Sequence, residues 1–146
     1  MKESIEFTVK KSPEEAFAAL TDFDMMSKFA EDPRSPLKMT VERVPDRPRV
    51  GVGSAVTLSV QGAGQSMTME TVEWAPPRRC VRKLDSDDFT ATVEFDFKAH
   101  PEGSQVSAVL TMEAKSMVFK MMLPVLQMKL ASEKAKLADK MKDNLA

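Results

Sequence analysis

The chain has 146 residues, 29% of them charged, with a formal net charge of −1 at pH 7. That length suits one domain spanning residues 1–146 with a sizeable core, and the charge balance excludes a nucleic-acid binder working through a broadly basic surface. The single cysteine, Cys80, excludes an internal disulfide and fits a protein expected in a reducing cytoplasm.

The first residues, Met1 to Lys11, contain no apolar stretch and no small-residue cleavage pattern, so no signal peptide is expected. No run reaches the roughly 18 apolar residues of a membrane-spanning helix. The longest apolar stretch, Met117 to Met128, is broken by Lys120, Pro124 and Gln127. Twelve methionines and no tyrosine mark the composition. Methionine is flexible and polarizable, so it suits either an irregular core or a ligand-shaped space.

Ile5, Phe7 and Val9 alternate with Glu6, Thr8 and Lys10, which predicts a half-buried first strand. Ser12-Pro13-Glu14-Glu15 then starts a helix: Ser12 caps it, Pro13 suits its first turn and Glu15 completes a capping box. Ala16, Phe17 and Leu20 form its apolar stripe. Thr21 or Asp22 restarts the chain into a second short helix carrying Met25, Met26 and Phe29, which Pro33 and Pro36 end.

Strands and turns follow. Met39 and Val41 alternate with polar neighbours. Pro45-Asp46-Arg47-Pro48, with Gly51 and Gly53, marks a loop. Val56, Leu58 and Val60 form a strand, and Gly62-Ala63-Gly64 signals a hairpin. The apolar parity slips between Met69 and Val72, which predicts a bulge or a strand leaving the common face. Pro76-Pro77 turns the chain into a short strand, Cys80 to Leu84, of open facing. Asp85-Ser86-Asp87-Asp88 turns it again. Phe89, Ala91, Val93, Phe95 and Phe97 then share one face. Beyond a His100-Pro101-Glu102-Gly103 turn, Val106, Ala108, Leu110, Met112 and Ala114 share another. These read as adjacent antiparallel strands with one dry face.

A long helix is predicted from about Ser116 to Asn144. Phe119, Met122, Leu123, Leu126, Leu130, Leu137 and Met141 form one apolar stripe. Met117, Met121, Val125 and Met128 form a second, nearly opposite, in the first half only. Pro124 inside that half predicts a kink or an irregular turn.

One strand, two short helices, about six strands and a long helix resemble the START-like (SRPBCC) superfamily, in its polyketide cyclase/dehydrase and lipid-transport branch. The resemblance lies in Ile5-Glu6-Phe7-Thr8-Val9 running into Ser12-Pro13-Glu14-Glu15-Ala16-Phe17, in Thr21-Asp22-Phe23, and in Gly51-Val52-Gly53-Ser54. It continues through Thr71-Val72-Glu73-Trp74-Ala75-Pro76-Pro77-Arg78 and the Pro124-containing helix. It implies an α+β helix-grip fold: a seven-stranded curved antiparallel sheet around the last helix, two short helices between strands one and two, and a cavity between sheet and helix. It also implies a hydrophobic ligand such as a lipid, polyketide or aromatic compound. Some members are cyclases or dehydratases, and others are interaction modules. No pattern here ties the chain to one of these, so no catalytic residue carries over.

In such a fold the expected pocket draws on Met26 and Phe29 from the second short helix and on Met39, Val41, Leu58 and Met69 from the early strands. The later strands add Phe89, Val93, Phe95, Leu110 and Met112. The long helix adds Phe119, Met122, Leu123 and Leu126. Each taken singly reads more readily as plain core, while the region as a whole favours a cavity. These inward positions offer no acid, base or nucleophile, so a carrier without chemistry is the leading expectation, with a cyclase-like enzyme and an interaction module as rivals. Arg78, Arg79, Arg82 and Lys83 read as a solvated strand face, unless Arg82 points inward and meets a ligand carboxylate or phenolate.

No cofactor or metal is expected. His100 reads as a turn residue, Cys80 as a small buried side chain, and no second histidine completes a zinc site. Asp85, Asp87 and Asp88 suit a turn better than a calcium loop, and neither glycine-rich segment opens a helix to cradle phosphate. The Met117, Met121, Val125 and Met128 face has three readings: packing under the short helices, a homodimer or partner contact, or a transient touch on a membrane surface.

Overall fold

A computed structural model describes residues 1–31, 39–60 and 66–145. Strand β1 (Lys2–Val9) leads into helices α1 (Pro13–Thr21) and α2 (Phe23–Glu31). Strands β2 (Met39–Arg43), β3 (Ala55–Val60), β4 (Ser66–Ala75), β5 (Arg79–Asp85), β6 (Phe89–His100) and β7 (Gly103–Ala114) follow, and helix α3 (Met117–Leu145) ends the chain. The seven strands form one antiparallel sheet in the order β1-β7-β6-β5-β4-β3-β2. This is the helix-grip α+β architecture. Pro33, Pro36 and the Gly62-Ala63-Gly64 hairpin lie outside the described residues.

Local chemistry accounts for the element ends. The backbone N–H of Glu15 donates to Ser12 Oγ at the start of α1, with Pro13 in the first turn. Asp22 is the residue that restarts the chain, because its Oδ1 accepts the Asp24 N–H at 2.9 Å. Ser116 caps α3 by accepting the Phe119 N–H at 3.1 Å. Gly103 holds φ at +142°, and a Cβ there would sit 2.3 Å from the Val9 carbonyl oxygen. No other residue fits that turn without moving the β1 backbone.

Strand register sorts the inner face into three rows. One row is Ile5, Ala108, Phe95, Cys80 and Trp74. The next is Glu3, Leu110, Val93, Arg82 and Thr71, and the third is Met112, Ala91, Leu84, Met69, Val56 and Arg43. Ile5, Phe95, Cys80 and Trp74 of the first row belong to a cluster built on Phe7, Phe17, Phe97 and Val106, in which Phe17 meets Trp74 and Phe97 edge to face. Leu84, Met69 and Val56 of the third row belong to a separate cluster with Phe23 and Leu58, against which Met26 and Val41 pack. The middle row, partly polar, runs between them.

Helix α3 packs on β1, β7 and α1. Ala138 and Met141 reach the first cluster, and Phe119 stacks on Phe89 with ring centroids 4.6 Å apart. Two sequence expectations change here. The Met117, Met121, Val125 and Met128 face does not pack under the short helices: these residues are 68–78% exposed. Met122, expected on the inward stripe, is exposed as well. Both follow from where α3 rests, because its first half has the sheet on the Phe119 side only. Pro124 lies inside a helix that continues through it.

Lys134 Nζ on α3 sits 2.6 Å from Glu3 Oε2 on β1. That hydrogen bond holds the Glu3 carboxyl below the ordinary carboxylate range. A carboxyl lowered in the folded state contributes stability above its unfolded value and loses it as pH falls. The wild type should therefore lose this contribution on acidification below about pH 4.5. Glu3→Gln should remove that component of the pH dependence and leave the rest intact. Urea melts of both proteins between neutral and acid pH measure it, and superimposable pH profiles would show that the pair does nothing.

Candidate ligand-binding site

The parity slip in β4 is a bulge. Thr71 pairs with Arg82, while Glu73, two residues on, pairs with Val81. The extra residue, Val72, is exposed. Thr71 and Trp74 therefore both face inward, on either side of a break in the alternation.

Cys80, Arg82 and Leu84 are the inward side chains of β5. Arg82 is thus not part of a solvated face: it is 1% exposed. Its Nε donates to Thr71 Oγ1 at 3.1 Å, and its Nη2 donates to the Thr21 carbonyl at the end of α1. That carbonyl is one of the unpaired acceptors at a helix C-terminus, where a cation is also favoured by the helix dipole. The guanidinium carbon lies 4.1 Å from the Phe23 ring centroid. Arg82 Nη1 is buried and has no hydrogen-bond partner among the described residues. Burial pushes this guanidinium down from its ordinary value, although an arginine remains protonated at physiological pH.

A polar chain leads away from Arg82. The Thr71 and Ser54 hydroxyls hydrogen-bond to each other at 2.9 Å, and Ser54 Oγ donates to the Gly51 carbonyl at 2.7 Å. The Gly53 N–H donates to the Thr71 carbonyl at 2.9 Å. These bonds fasten the 44–54 loop to the bulged strand, and Gly53 supplies the positive φ of +91° that the loop needs.

The corner between α1 and α2, this loop and strands β4 and β5 border a half-open cavity of about 480 Å³. Phe17, Ala18, Phe23, Val50, Trp74 and Pro77 give it a mostly apolar wall, and Arg82, Thr21 and Ser54 line it too. Glu14, Asp22, Asp24, Arg43, Arg49 and Pro76 complete the lining. Arg43 links three parts of this rim. Its Nη2 is 3.6 Å from Asp24 Oδ1, its Nη1 donates to the Arg49 carbonyl at 3.1 Å, and its guanidinium lies 5.6 Å from the Phe23 ring.

The apolar positions singled out from the sequence fall elsewhere. Met26, Val41, Leu58 and Met69 sit in the second cluster. Phe95 packs on the first. Val93 and Leu110 are half-buried neighbours of Arg82 in the middle row, and Met112 is half-buried in the third. Phe89 and Phe119 stack on each other, and Leu123 and Leu126 are half-buried on the same side of α3. The side chains of Phe29 and Met39 lie outside the described residues. Among the described residues, Arg82 alone of the named positions lines the cavity.

Thr21, Phe23, Ser54, Thr71 and Trp74 stand in the sequence as motif residues with no ligand role attached. The slip after Met69 and the Thr71–Arg78 motif are the signals for Thr71 and Trp74. Thr21 reads from the sequence as a boundary residue, and its contact with Arg82 runs through the carbonyl, which no side-chain pattern reveals. The remaining basic residues behave differently. Arg79 is on the outer face, bound to Asp96, Glu73 and Glu94, and its hydrogen bonds, that to Asp96 first, raise its pKa. His100 Nδ1 accepts the Glu102 N–H in its turn. No group of three or more His, Cys, Asp or Glu is placed to hold a metal ion among the described residues. No described helix is long and apolar enough to cross a membrane.

A family described as polyketide cyclase/dehydrase and lipid transport matches residues 2–145. No curated protein matches the chain in sequence. Among solved structures, a Thermus thermophilus protein superposes with a TM-score of 0.73 at 18% identity, covering 99% of this chain and 97% of its own. A Staphylococcus aureus protein of unknown function gives 0.68 at 15% identity, covering 99% and 93%. The Aha1 dimer of Colwellia psychrerythraea gives 0.61 at 15%, covering 97% and 96%. At these identities the likeness is one of fold.

Cys80 offers a check on the packing beside the cavity. It is fully buried, and burial pushes its thiol up, against the nearby Arg82 charge that lowers it. A disulfide reagent such as DTNB should react with the native protein at least roughly tenfold more slowly than with protein in guanidinium chloride. Equal rates would mean that the inner wall of the site opens freely.

Proposed function

Because the chain belongs to the polyketide cyclase/dehydrase and lipid transport family, we propose that it binds or carries a hydrophobic small molecule in the cavity beneath the α1–α2 corner. The observation that carries this reading is the roughly 480 Å³ space itself, walled by Phe17, Phe23 and Trp74. That volume falls within the 300–1,000 Å³ or so of small-molecule pockets. Each 100 Å² of apolar ligand surface removed from water there contributes roughly 2.5 kcal/mol. The half-buried inner-face residues Val93, Leu110 and Met112, with Phe89, Phe119, Leu123 and Leu126 nearby, are the proposed continuation of the ligand space toward α3. The chain is read as one domain over residues 1–146, and the lone buried thiol favours a cytoplasmic setting.

A cyclase- or dehydratase-like reaction is the second reading. It is favoured by Glu14, Asp22 and Asp24, which line the same space as Arg82 and supply groups able to move a proton. The two readings part on whether a bound polyketide-type molecule is returned unchanged.

Ala18 lines the cavity from the exposed side of α1. Ala18→Trp should fill the space without touching either core cluster. Nile red fluorescence should report saturable binding to the wild type and at least about fivefold weaker binding to Ala18→Trp, at unchanged thermal stability. Equal affinity for the two proteins would remove this cavity as the site.

The exposed Met117, Met121, Val125 and Met128 face is the proposed surface for a homodimer. One fold neighbour, the Aha1 protein, is a dimer, and an apolar face of this kind favours contact over solvation. Wild-type protein should sediment as a dimer at micromolar concentration, and the double variant Met121→Glu/Val125→Glu as a monomer. Identical sedimentation of the two would discard the surface.

A further inference from the structure

We propose that the ligand of this cavity is an acid, an apolar molecule whose carboxylate takes the free Nη1 of Arg82. The proposal rests on the cavity reading above and adds the chemical class of the ligand to it. Three observations lead there.

The first is the unused donor. A guanidinium has five N–H groups, and among the described residues Arg82 uses one on Nε and one on Nη2. Nη1 has no partner, although Arg82 is 1% exposed. Leaving a buried donor unmade costs about 1–3 kcal/mol, and more for a charged group.

The second is the unpaired charge. Both groups that Arg82 does bond are neutral, the Thr71 hydroxyl and the Thr21 carbonyl. Asp22 is near enough to favour the charge, but its Oδ1 is engaged by the Asp24 N–H. No ion pair to Arg82 exists among the described residues. A buried cation is tolerated when an anion and hydrogen bonds satisfy it together. A ligand carboxylate supplies both, whereas an ester or alcohol supplies an acceptor without the charge.

The third is placement. Arg82 lines the cavity beside Phe23 and Trp74. Its contacts to Thr71 and Thr21 hold the guanidinium plane before any ligand arrives, and a small shift of a neighbouring side chain opens the buried Nη1 to the carboxylate. The apolar wall next to it then selects a molecule with an oily body and an acidic end.

Decanoate and methyl decanoate, competing against Nile red, test this. Wild-type protein should bind the acid at least about tenfold more tightly than the ester, and Arg82→Gln should cut that preference to less than about twofold. Equal displacement by acid and ester from the wild type, with Nile red still bound in the cavity, would overturn the acid anchor and leave the cavity reading standing. Failure of Nile red itself to bind would sink the cavity reading instead. Arg82 also fastens α1, so its variant needs a check for folding by circular dichroism. A measurement on the wild type alone covers the case in which that variant unfolds. The carboxyl resonance of carboxyl-labelled decanoate, followed by NMR, should titrate at least about one pH unit lower in the complex than free. An unshifted titration would overturn the proposal.

Discussion

Arg82 occupies the middle of the inner face of β5, and its guanidinium joins three parts of the fold that no backbone ladder connects. Nε reaches across to the bulged strand at Thr71, Nη2 reaches up to the last carbonyl of α1, and the flat of the group lies on the Phe23 ring at the start of α2. The α1–α2 corner is thereby hung from the sheet by a charged group at the point where the chain changes direction. A helix end buried over a sheet leaves carbonyls without partners unless something from the sheet supplies donors. Arg82 supplies one, and the cavity is the space that remains beside it.

The same side chain explains why the core is in two pieces. Along β5 the inward residues are Cys80, Arg82 and Leu84, and along β4 they are Trp74, Thr71 and Met69. The aromatic cluster around Phe7, Phe17 and Phe97 lies on one side of the Arg82–Thr71 row, and the Phe23–Val56–Leu58–Met69 cluster lies on the other. A polar row through the middle of an inner face forfeits apolar burial, so each cluster needs its own cover. Helix α1 and the last turns of α3, through Ala138 and Met141, cover the first. The start of α2 covers the second through Phe23 and Met26.

Alternation and capping chemistry carry most of the architecture in the bare sequence. Ser12-Pro13 opens α1 and Ser116 caps α3 because short polar side chains at those places satisfy free N–H groups, whatever the tertiary setting. β6 keeps strict period two over its apolar residues and β7 departs from it only at Val109, so their pairing follows from pattern alone. The bulge after Thr71 shows as a slip in the same pattern. The site is harder to see, for physical reasons. Arg82 stands in a run of basic residues, Arg78, Arg79, Arg82 and Lys83, and local sequence does not say which of them turns inward. Facing is set by the bulge one strand away and by the demand of the Thr21 carbonyl, which lies 61 residues distant in the chain. The exposed face of α3 fails for a related reason: periodicity finds the stripe of Met117, Met121, Val125 and Met128 but not what stands opposite it.

An arginine is a costly way to fasten a helix corner. A methionine at position 82 would bridge the Phe17 and Phe23 clusters with apolar contacts, and replacing buried charged groups by packed apolar ones is often neutral or stabilising by about 1–4 kcal/mol. Fastening alone would also leave no reason for a free Nη1, since a neutral donor would serve the Thr21 carbonyl. The arrangement makes physical sense when the missing anion arrives from outside. The cavity then brings oily surface and negative charge to the same few ångströms, and occupancy should tighten the α1–α2 corner that Arg82 holds. Binding and the integrity of that corner become one equilibrium, because a ligand that favours the folded geometry of Arg82 must stabilise every contact the guanidinium makes.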